Sequence, residues 1–450
     1  MRIIANGETM KTNELRVYLE GRPIGSLRED KNGKHSFLYD SNAEGQLSLS
    51  MPPQLEPWTG KPVEAYIDGV LPDDRTMRQR IGRLYDVSAN NPFALLTAIG
   101  LDCAGGAQFV SPDNLDLLEE PETLRPITKR GIGKRLTNLA NDVPTTWQGP
   151  NEHWSLNGAQ GKIALRQNNG EWFEALGAAA TTHILKPGVS QLHEQAFNEY
   201  ICMKTLGNLD ISVSESAFQS FSGTPAIVST RWDRRQKPGS NGQIHITRIH
   251  QEDLCQAMSY MTRQKYQSDG GPSANSIIAF LRINALAETD IIQFTTGLML
   301  NFLIGGTDAH AKNYAILEPV GEASRLAPFY DIASIFAYDQ RGDRKGERKM
   351  AMSIGGEYHY ERITLKHWLK LCKDAKLDAE LIAGLLRHYA EILPDTFNDT
   401  AKSALTDVAK LKISPESLRT PNGSSAIERK ELVKRIGAGI RRQCDMVLNW

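Results

Sequence analysis

Asp308 and Asn313 lie in the stretch GGTDAHAKNYAI, residues 305–316, which follows an apolar run at helical spacing. They have the D-x-x-x-x-N spacing of a kinase catalytic loop, where the aspartate accepts the proton of an acceptor hydroxyl and the asparagine holds a magnesium ion. His310 and Lys312 share the same polar cluster. Downstream, APFYDIAS delivers Asp331 after Phe329 and Tyr330, about where a second metal-binding carboxylate is needed. Magnesium takes hard oxygen ligands to offset charge on the β and γ phosphates, and Asn313 and Asp331 are of that type.

Two more elements stand upstream. In SLNGAQGK, residues 155–162, Gly158 and Gly161 remove side chains where backbone N–H groups could close on phosphate oxygens. Lys162 adds a positive charge and Ser155 a hydroxyl, although the spacing is not that of a Walker A loop. Lys186 then ends an apolar strand in TTHILKP, and Glu194 and Glu199 follow on a helical segment. In kinases a strand lysine neutralises the α and β phosphates and is held by a helix glutamate. Taken singly, each element also reads as a Gly turn, an edge lysine, a helix cap or an Asx turn. Their order argues for a nucleotide site.

The elements that must position these residues are legible in the hydrophobic pattern. KIALRQ and EWFEAL flank NNG, an Asn-Gly hairpin signal, and TTHILKP adds a third strand. SQLHEQAFNEYICMKTLGNL reads as a helix with Leu192, Phe197, Tyr200 and Ile201 near one face, and SVSESAFQSF and AIVSTRW read as two strands around SGTP. Beyond about residue 250 the pattern is helical: Ile291, Phe294, Leu298 and Phe302 line one face, and Leu381, Leu385, Tyr389 and Ile392 another. Upstream, LRVYLEGRPIGSL alternates across a Gly21-Arg22-Pro23 turn, KHSFLYD offers a strand, and FALLTAIGLDCAGGAQFV is mixed. From 112 to 152 the chain is polar and Pro-rich with no clear strand.

At 450 residues the chain exceeds the roughly 250–300 at which one core stops growing, so two or three domains are expected. Charged residues are 23% with a net charge of -1, which leaves no global basic excess for nucleic acid. GLMLNFLIGG falls short of the roughly 18 apolar residues of a membrane span, and the N-terminus lacks a secretion core, so a cytoplasmic protein without membrane contact is expected. The five cysteines are scattered without a CxxC pair and read as reduced thiols.

In this order, SLNGAQGKIAL, THILKP, RWDRR, QEDLCQ, YQSDGGP, GGTDAHAKN and PFYDIAS resemble the HipA family of bacterial toxin kinases, and LSLSMPP and GVLPDD resemble its N-terminal subdomain. The similarity runs through nearly the whole chain. It implies an α+β chain with a reduced, bilobal protein-kinase-like fold. The parts would be an N-terminal β-rich subdomain over 1–125, a connecting segment over 126–152, a β lobe with phosphate loop and hinge over 153–240, and a helical catalytic lobe over 241–450.

The resemblance further implies a serine/threonine protein kinase that uses ATP and Mg2+. Asp308 would be the catalytic base, Asn313 and Asp331 the magnesium ligands, and Lys186 the phosphate-binding lysine with Glu199 as its partner. Asn157, Gly158, Ala159, Gln160, Gly161 and Lys162 would form the phosphate loop, Thr230, Arg231 and Trp232 the adenine hinge, and His310, Lys312 and Tyr330 the rest of the nucleotide site. The hinge TRWD departs from the family's ERFD, Gly161 stands for an acidic residue and Asn157 for a small one; the loop changes bear on its mobility and on ATP affinity.

Ser155 matches the family's autophosphorylated serine. A phosphate there would inactivate the protein by drawing the loop toward another donor, an arginine of RWDRR or the amides of a helix start. In HWLKLCKDAK, Lys370, Lys373 and Lys376 lie along a helical stretch, and Lys373 and Lys376 match DNA-contacting positions. The implied partners are a helix-turn-helix antitoxin of the HipB kind, operator DNA through the antitoxin complex, and a host protein substrate. The best-known branch acts on an aminoacyl-tRNA synthetase. The implied role is that of a toxin in growth arrest or persistence. One alternative is a nucleotide-binding co-repressor, against which the intact set of Asp308, Asn313, Asp331 and Lys186 argues; another is a small-molecule kinase, which the constellation permits.

Overall fold

The computed structural model describes residues 13–141, 143, 147–189, 192–238, 244–338, 348–414 and 425–450. Residues 1–12, read for a secretion signal, and Ser190 and Gln191, read as the start of a helix, lie outside them. The strand Glu14–Leu19 alternates as its period of two requires, with Leu15, Val17 and Leu19 buried. Glu20 and Gly21, both at positive φ, turn it into Arg22–Glu29, so Arg22 and Pro23 belong to the second strand and not to the turn expected from the sequence. His35–Tyr39, Trp58–Thr59 and Ala107–Val110 complete a five-stranded sheet. The helices Lys61–Val70 and Pro92–Ile99 close one core with it around Val17, Phe37, Ile67, Leu96 and Phe109.

A second sheet has six strands in the order Ser216–Phe221, Thr224–Thr230, His183–Lys186, Ile163–Asn168, Glu171–Leu176 and Thr123–Pro126. Asn169 and Gly170, both at positive φ, make the Asn-Gly hairpin. The strand Thr123–Pro126 lies in the polar stretch where the sequence shows no clear strand. It is an edge strand, mostly exposed, and therefore carries no apolar alternation to betray it. The helix Lys129–Ala140 packs on one face of the sheet, where Ile132 and Leu136 meet Ala226 and Val228. The helix Gln195–Gly207 packs on the other, where Phe197 meets Ile227. Because the helical lobe covers its far side, Gln195–Gly207 is buried nearly all round, while Leu192 lies before its start.

The helical lobe is built from Ala274–Ile283, Glu288–Ile304, Leu365–Ala375, Ala379–Val408 and Ala426–Leu448. Ile291, Phe294, Leu298 and Phe302 are all buried, as their spacing requires. On Ala379–Val408 the inward face is Ile382, Leu386, Ala390, Leu393 and Phe397, one residue around from the expected stripe; Leu381 is 42% exposed and Leu385, Tyr389 and Ile392 are half-buried. That helix carries two adjacent apolar stripes, and packing against Ala426–Leu448 selects the second. All five cysteines are buried and unpaired. Among the described residues no helix is long and apolar enough to cross a membrane.

Candidate active site

A cavity of about 460 Å³ is lined by Lys186 of the second sheet, by Asp308, Lys312 and Asn313 of the helical lobe and by Asp73 of the N-terminal subdomain. The strand Trp154–Ser155 pairs in parallel with Asp102–Cys103, which delivers the phosphate loop from the edge of the N-terminal subdomain. The Ser155 hydroxyl is fully buried and donates to the Val70 carbonyl at 2.8 Å. Gly158 has φ 94, a backbone conformation that favours glycine, and lies directly over Lys162 Nζ, which would be 2.7 Å from a Cβ placed there. Lys162 Nζ donates to the Asn157 carbonyl, and burial, with Lys186 nearby, pulls its pKa down to about 7.

Asn157 Nδ2 donates to Asp253 at 3.0 Å and Gln160 to Gln195 at 3.0 Å. Asn157, Gly158, Ala159, Gln160 and Lys162 line the cavity, whereas the Cα of Gly161 faces Leu139 and Trp147 behind it.

Lys186 ends its strand with Nζ 2.9 Å from Glu199 and in close contact with Asp331. Glu199 is therefore the glutamate that holds the lysine. Glu194 is turned away, accepting from Arg429 at 3.0 Å and from the Ser425 amide at 2.8 Å. Asp331 has φ 56, a left-handed conformation that non-glycine residues adopt at a cost and that clusters at functional sites.

The turn that carries Asp308 follows from how its helix stops. Gly305, at φ 78, ends Glu288–Ile304, and the Gly306 amide returns to the Asn301 carbonyl at 2.7 Å. Asp308 then projects at the surface, with the Asn313 Nδ2 donating to its backbone carbonyl at 2.9 Å. That bond turns Asn313 Oδ1, the amide atom able to ligate a hard cation, away from the carbonyl. The Tyr266 hydroxyl donates to Asp308 Oδ1 at 2.6 Å. His310 presents its buried ring to the edge of Tyr266, with centroids 5.0 Å apart, and burial pushes its pKa down to about 4, so it is neutral.

Lys312 is buried and fixed by Asp253 at 3.1 Å and Asp73 at 3.5 Å, which hold its ammonium well above the usual range against the effect of burial. Tyr330 donates to the Lys312 carbonyl at 2.7 Å and packs on Trp232 with centroids 4.8 Å apart. Both rings line the cavity.

Arg231 and Trp232 line the cavity and Thr230 does not. The Thr230 and Arg231 amides are already donated, to Glu215 at 2.8 Å and Thr182 at 2.9 Å. The Arg231 side chain is buried in an ion cluster with Asp102 (3.2 Å) and Asp233 (2.7 Å), which Arg234 and Arg248 also join. Burial works against the Asp102 charge, but Arg234, Arg231 and Arg248 outweigh it and hold the carboxyl well below the usual range. Arg231 and Arg234 of RWDRR are thus committed, which removes them as receivers of a phosphoserine.

Lys373 and Lys376 are exposed at the C-terminal end of Leu365–Ala375, while Lys370 pairs with Asp374 at 2.6 Å. Sequence reasoning missed the roles of Asp73, Asp102 and Tyr266. GVLPDD and YQSDGGP marked two of them as motifs without saying what they touch.

Asn313 and Asp331 both line the cavity and carry side-chain oxygens of the hard type that magnesium takes. A two-lobed fold with a lysine–glutamate pair, a glycine loop and an aspartate on a turn beyond a buried helix defines a protein kinase. The HipA-like C-terminal domain matches residues 154–397 and the HipA N-terminal domain residues 15–110. Y4mE of Sinorhizobium fredii is 30% identical over 405 residues, covering 87% of this chain and 94% of its own. The serine/threonine-protein kinase toxin HipA of Shewanella oneidensis is 29% identical over 411 residues, covering 86% and 89%. A chain of the solved complex of Shewanella oneidensis HipA, HipB and operator DNA superposes with a TM-score of 0.78 at 24% identity, over 97% of this chain and 99% of that one, which shows the shared fold. The chain belongs to the HipA family, and it is a serine/threonine protein kinase.

Proposed function

We propose that the chain transfers the γ-phosphoryl group of ATP, with magnesium, to a serine or threonine of a host protein and to its own Ser155, as the toxin of a toxin–antitoxin pair acting in the cytoplasm in growth arrest or persistence. The observation that carries this reading is the convergence on one cavity of Lys186, held by Glu199, with Asp308, Asn313 and Asp331. Magnesium-bound ATP supplies the phosphoryl group to be transferred. Lys186 would bind phosphate oxygens, and Asn313 and Asp331 would hold the metal. Asp308 orients the acceptor hydroxyl and takes its proton, and Tyr266 keeps that carboxylate in place. The loop from Asn157 to Lys162 closes over the phosphates, and Trp232 and Tyr330 flank the base.

The fold match to a chain from a complex with HipB and operator DNA supports an antitoxin of that kind and contact with DNA through it. Lys373 and Lys376, both exposed, are the candidates for phosphate contact there. An aminoacyl-tRNA synthetase is the first host substrate to try. Ser155 can be reached only when its segment leaves the pairing with Asp102–Cys103, so self-phosphorylation follows opening of the loop.

The test is to incubate the purified protein with γ-labelled ATP, alone and with cell lysate. Label on a lysate protein and on Ser155 supports the reading. Label on a small metabolite would replace it with a small-molecule kinase, and ATP binding without transfer would leave a co-repressor.

A further inference from the structure

We propose that Asp73 of the N-terminal subdomain is a positioning residue that latches the phosphate loop over the cavity, so that the N-terminal subdomain sets the affinity for nucleotide. This rests on the reading of the cavity as the ATP site. Asp73 lies on the turn between the helices Lys61–Val70 and Arg75–Tyr85, outside the kinase lobes. It grips a single residue of the loop from both sides: the Gly158 amide donates to Asp73 Oδ1 at 3.0 Å, and the Asp73 amide donates to the Gly158 carbonyl at 3.2 Å. Gly158, with no side chain and φ 94, has no packing of its own to fix it. Its conformation depends on groups that hold its backbone from outside.

The same carboxylate joins three functional segments. Lys265, next to Tyr266, lies 3.4 Å from it, and Lys312, next to Asn313, lies 3.5 Å from it. Burial opposes its charge, but Lys312 and Lys265 prevail and hold the carboxyl down at about 2. The loop amide therefore bonds to a fully ionised acceptor, the stronger kind of hydrogen bond.

This arrangement makes the direction of a mutational effect decisive. A buried carboxylate near bound phosphates repels them, and removing it releases Lys265 and leaves Lys312 paired with Asp253 alone. By charge alone, loss of Asp73 should tighten ATP binding. If Asp73 is a latch, its loss lets the loop leave the binding conformation, and only the competent fraction binds.

The experiment measures KM for ATP and kcat of the full chain, with amide hydrogen exchange of residues 156–162. D73A is expected to raise KM about tenfold, with kcat at saturating ATP within about twofold of wild type, the scale of one charge-assisted bond. Exchange over 156–162 should quicken while the strand Glu14–Leu19 keeps its protection. D74A serves as the neighbouring control. Asp74 caps the helix Arg75–Tyr85 by accepting from the Met77 amide at 2.9 Å, so its loss disturbs the same turn without touching the loop and should leave KM unchanged. D73N covers the case in which D73A does not fold; it keeps an acceptor oxygen without charge and should raise KM by about threefold. An unchanged or lower KM in whichever of the two folds overturns the latch. Wild-type transfer is measured first, because its absence removes the kinase-site reading itself, whereas wild-type transfer with an unaltered variant KM removes the latch alone.

Discussion

Lys186 is shared between two carboxylates from distant parts of the chain, Glu199 on the helix beneath it and Asp331 beyond the catalytic turn. Glu199 has a side chain only 4% exposed, and Asp331 one that is 34% exposed. The two contacts therefore do different things: the first holds the lysine, and the second is one that an incoming metal-bound nucleotide can displace. Lys186→Met leaves Glu199 buried without its cation and should cost about 3 kcal/mol of stability in urea denaturation. Asp331→Asn keeps the Lys186–Glu199 pair and should cost less than about 1 kcal/mol, while its loss of transfer softens as magnesium is raised. Equal destabilisation, or a defect indifferent to magnesium, would contradict this division.

The Tyr266 hydroxyl fixes one oxygen of Asp308, which leaves the other for the acceptor. Tyr266→Phe removes that restraint without touching the nucleotide wall of Trp232 and Tyr330. We expect kcat to fall about tenfold with KM for ATP unchanged, since the lost interaction orients only the proton acceptor. A rise in KM with kcat preserved would place Tyr266 in nucleotide binding instead.

Lys162 gives a pH dependence with a definite sign. Its ammonium titrates at about 7 in the folded chain because it is buried and faces Lys186, against about 10.4 in an unfolded chain. Between these values the unfolded chain binds more protons, so this group's contribution to stability rises with pH across that window and is least favourable below it. Bound polyphosphate favours the charged form, so ATP binding at pH 8 should take up nearly one proton. Calorimetry in two buffers of different ionisation enthalpy measures the uptake. Lys162→Met should abolish it, and an unchanged uptake would assign the proton to another group.

Ser155 is sealed under Val70, and a phosphate there brings a charge of about -1.5 to -2 that the buried position cannot hold. The modified segment must leave, and the loop attached to it leaves as well. Stoichiometrically phosphorylated protein should bind ATP at least about tenfold more weakly than the unmodified form. Ser155→Ala should bind normally while losing about 1 kcal/mol of stability for the stranded Val70 carbonyl. Equal affinity of the two phosphorylation states would remove the switch, even with the phosphoserine proven.

Local chemistry makes much of the site legible in the sequence. The Asn-Gly hairpin, the positive-φ glycine of the loop before Lys162, the lysine at a strand end and the buried face of Glu288–Ile304 all depend on neighbours within a few residues. What the sequence hides depends on distant partners. Tyr266 and Asp308 are 42 residues apart, Asp73 and Gly158 85 apart, and Arg231 and Asp102 129 apart. At the hinge, likewise, the resemblance assigns Thr230, Arg231 and Trp232 to the base, and the distant bonds of the Thr230 and Arg231 amides and the Arg231 guanidinium, to Glu215, Thr182, Asp102 and Asp233, are not legible in the sequence. The stripe on Ala379–Val408 falls one residue from its expected place because two adjacent apolar faces satisfy the same period, and only the neighbouring helix decides between them.

The central claim is that Asp308 is the base of a phosphoryl transfer whose nucleotide is held by other residues. The measurement is phosphate incorporated into protein from γ-labelled ATP by Asp308→Asn and by wild type, at ATP concentrations giving equal occupancy. Loss of transfer by about 10²–10⁴-fold with ATP binding retained is the expected result. Transfer by Asp308→Asn at the wild-type rate would contradict the account.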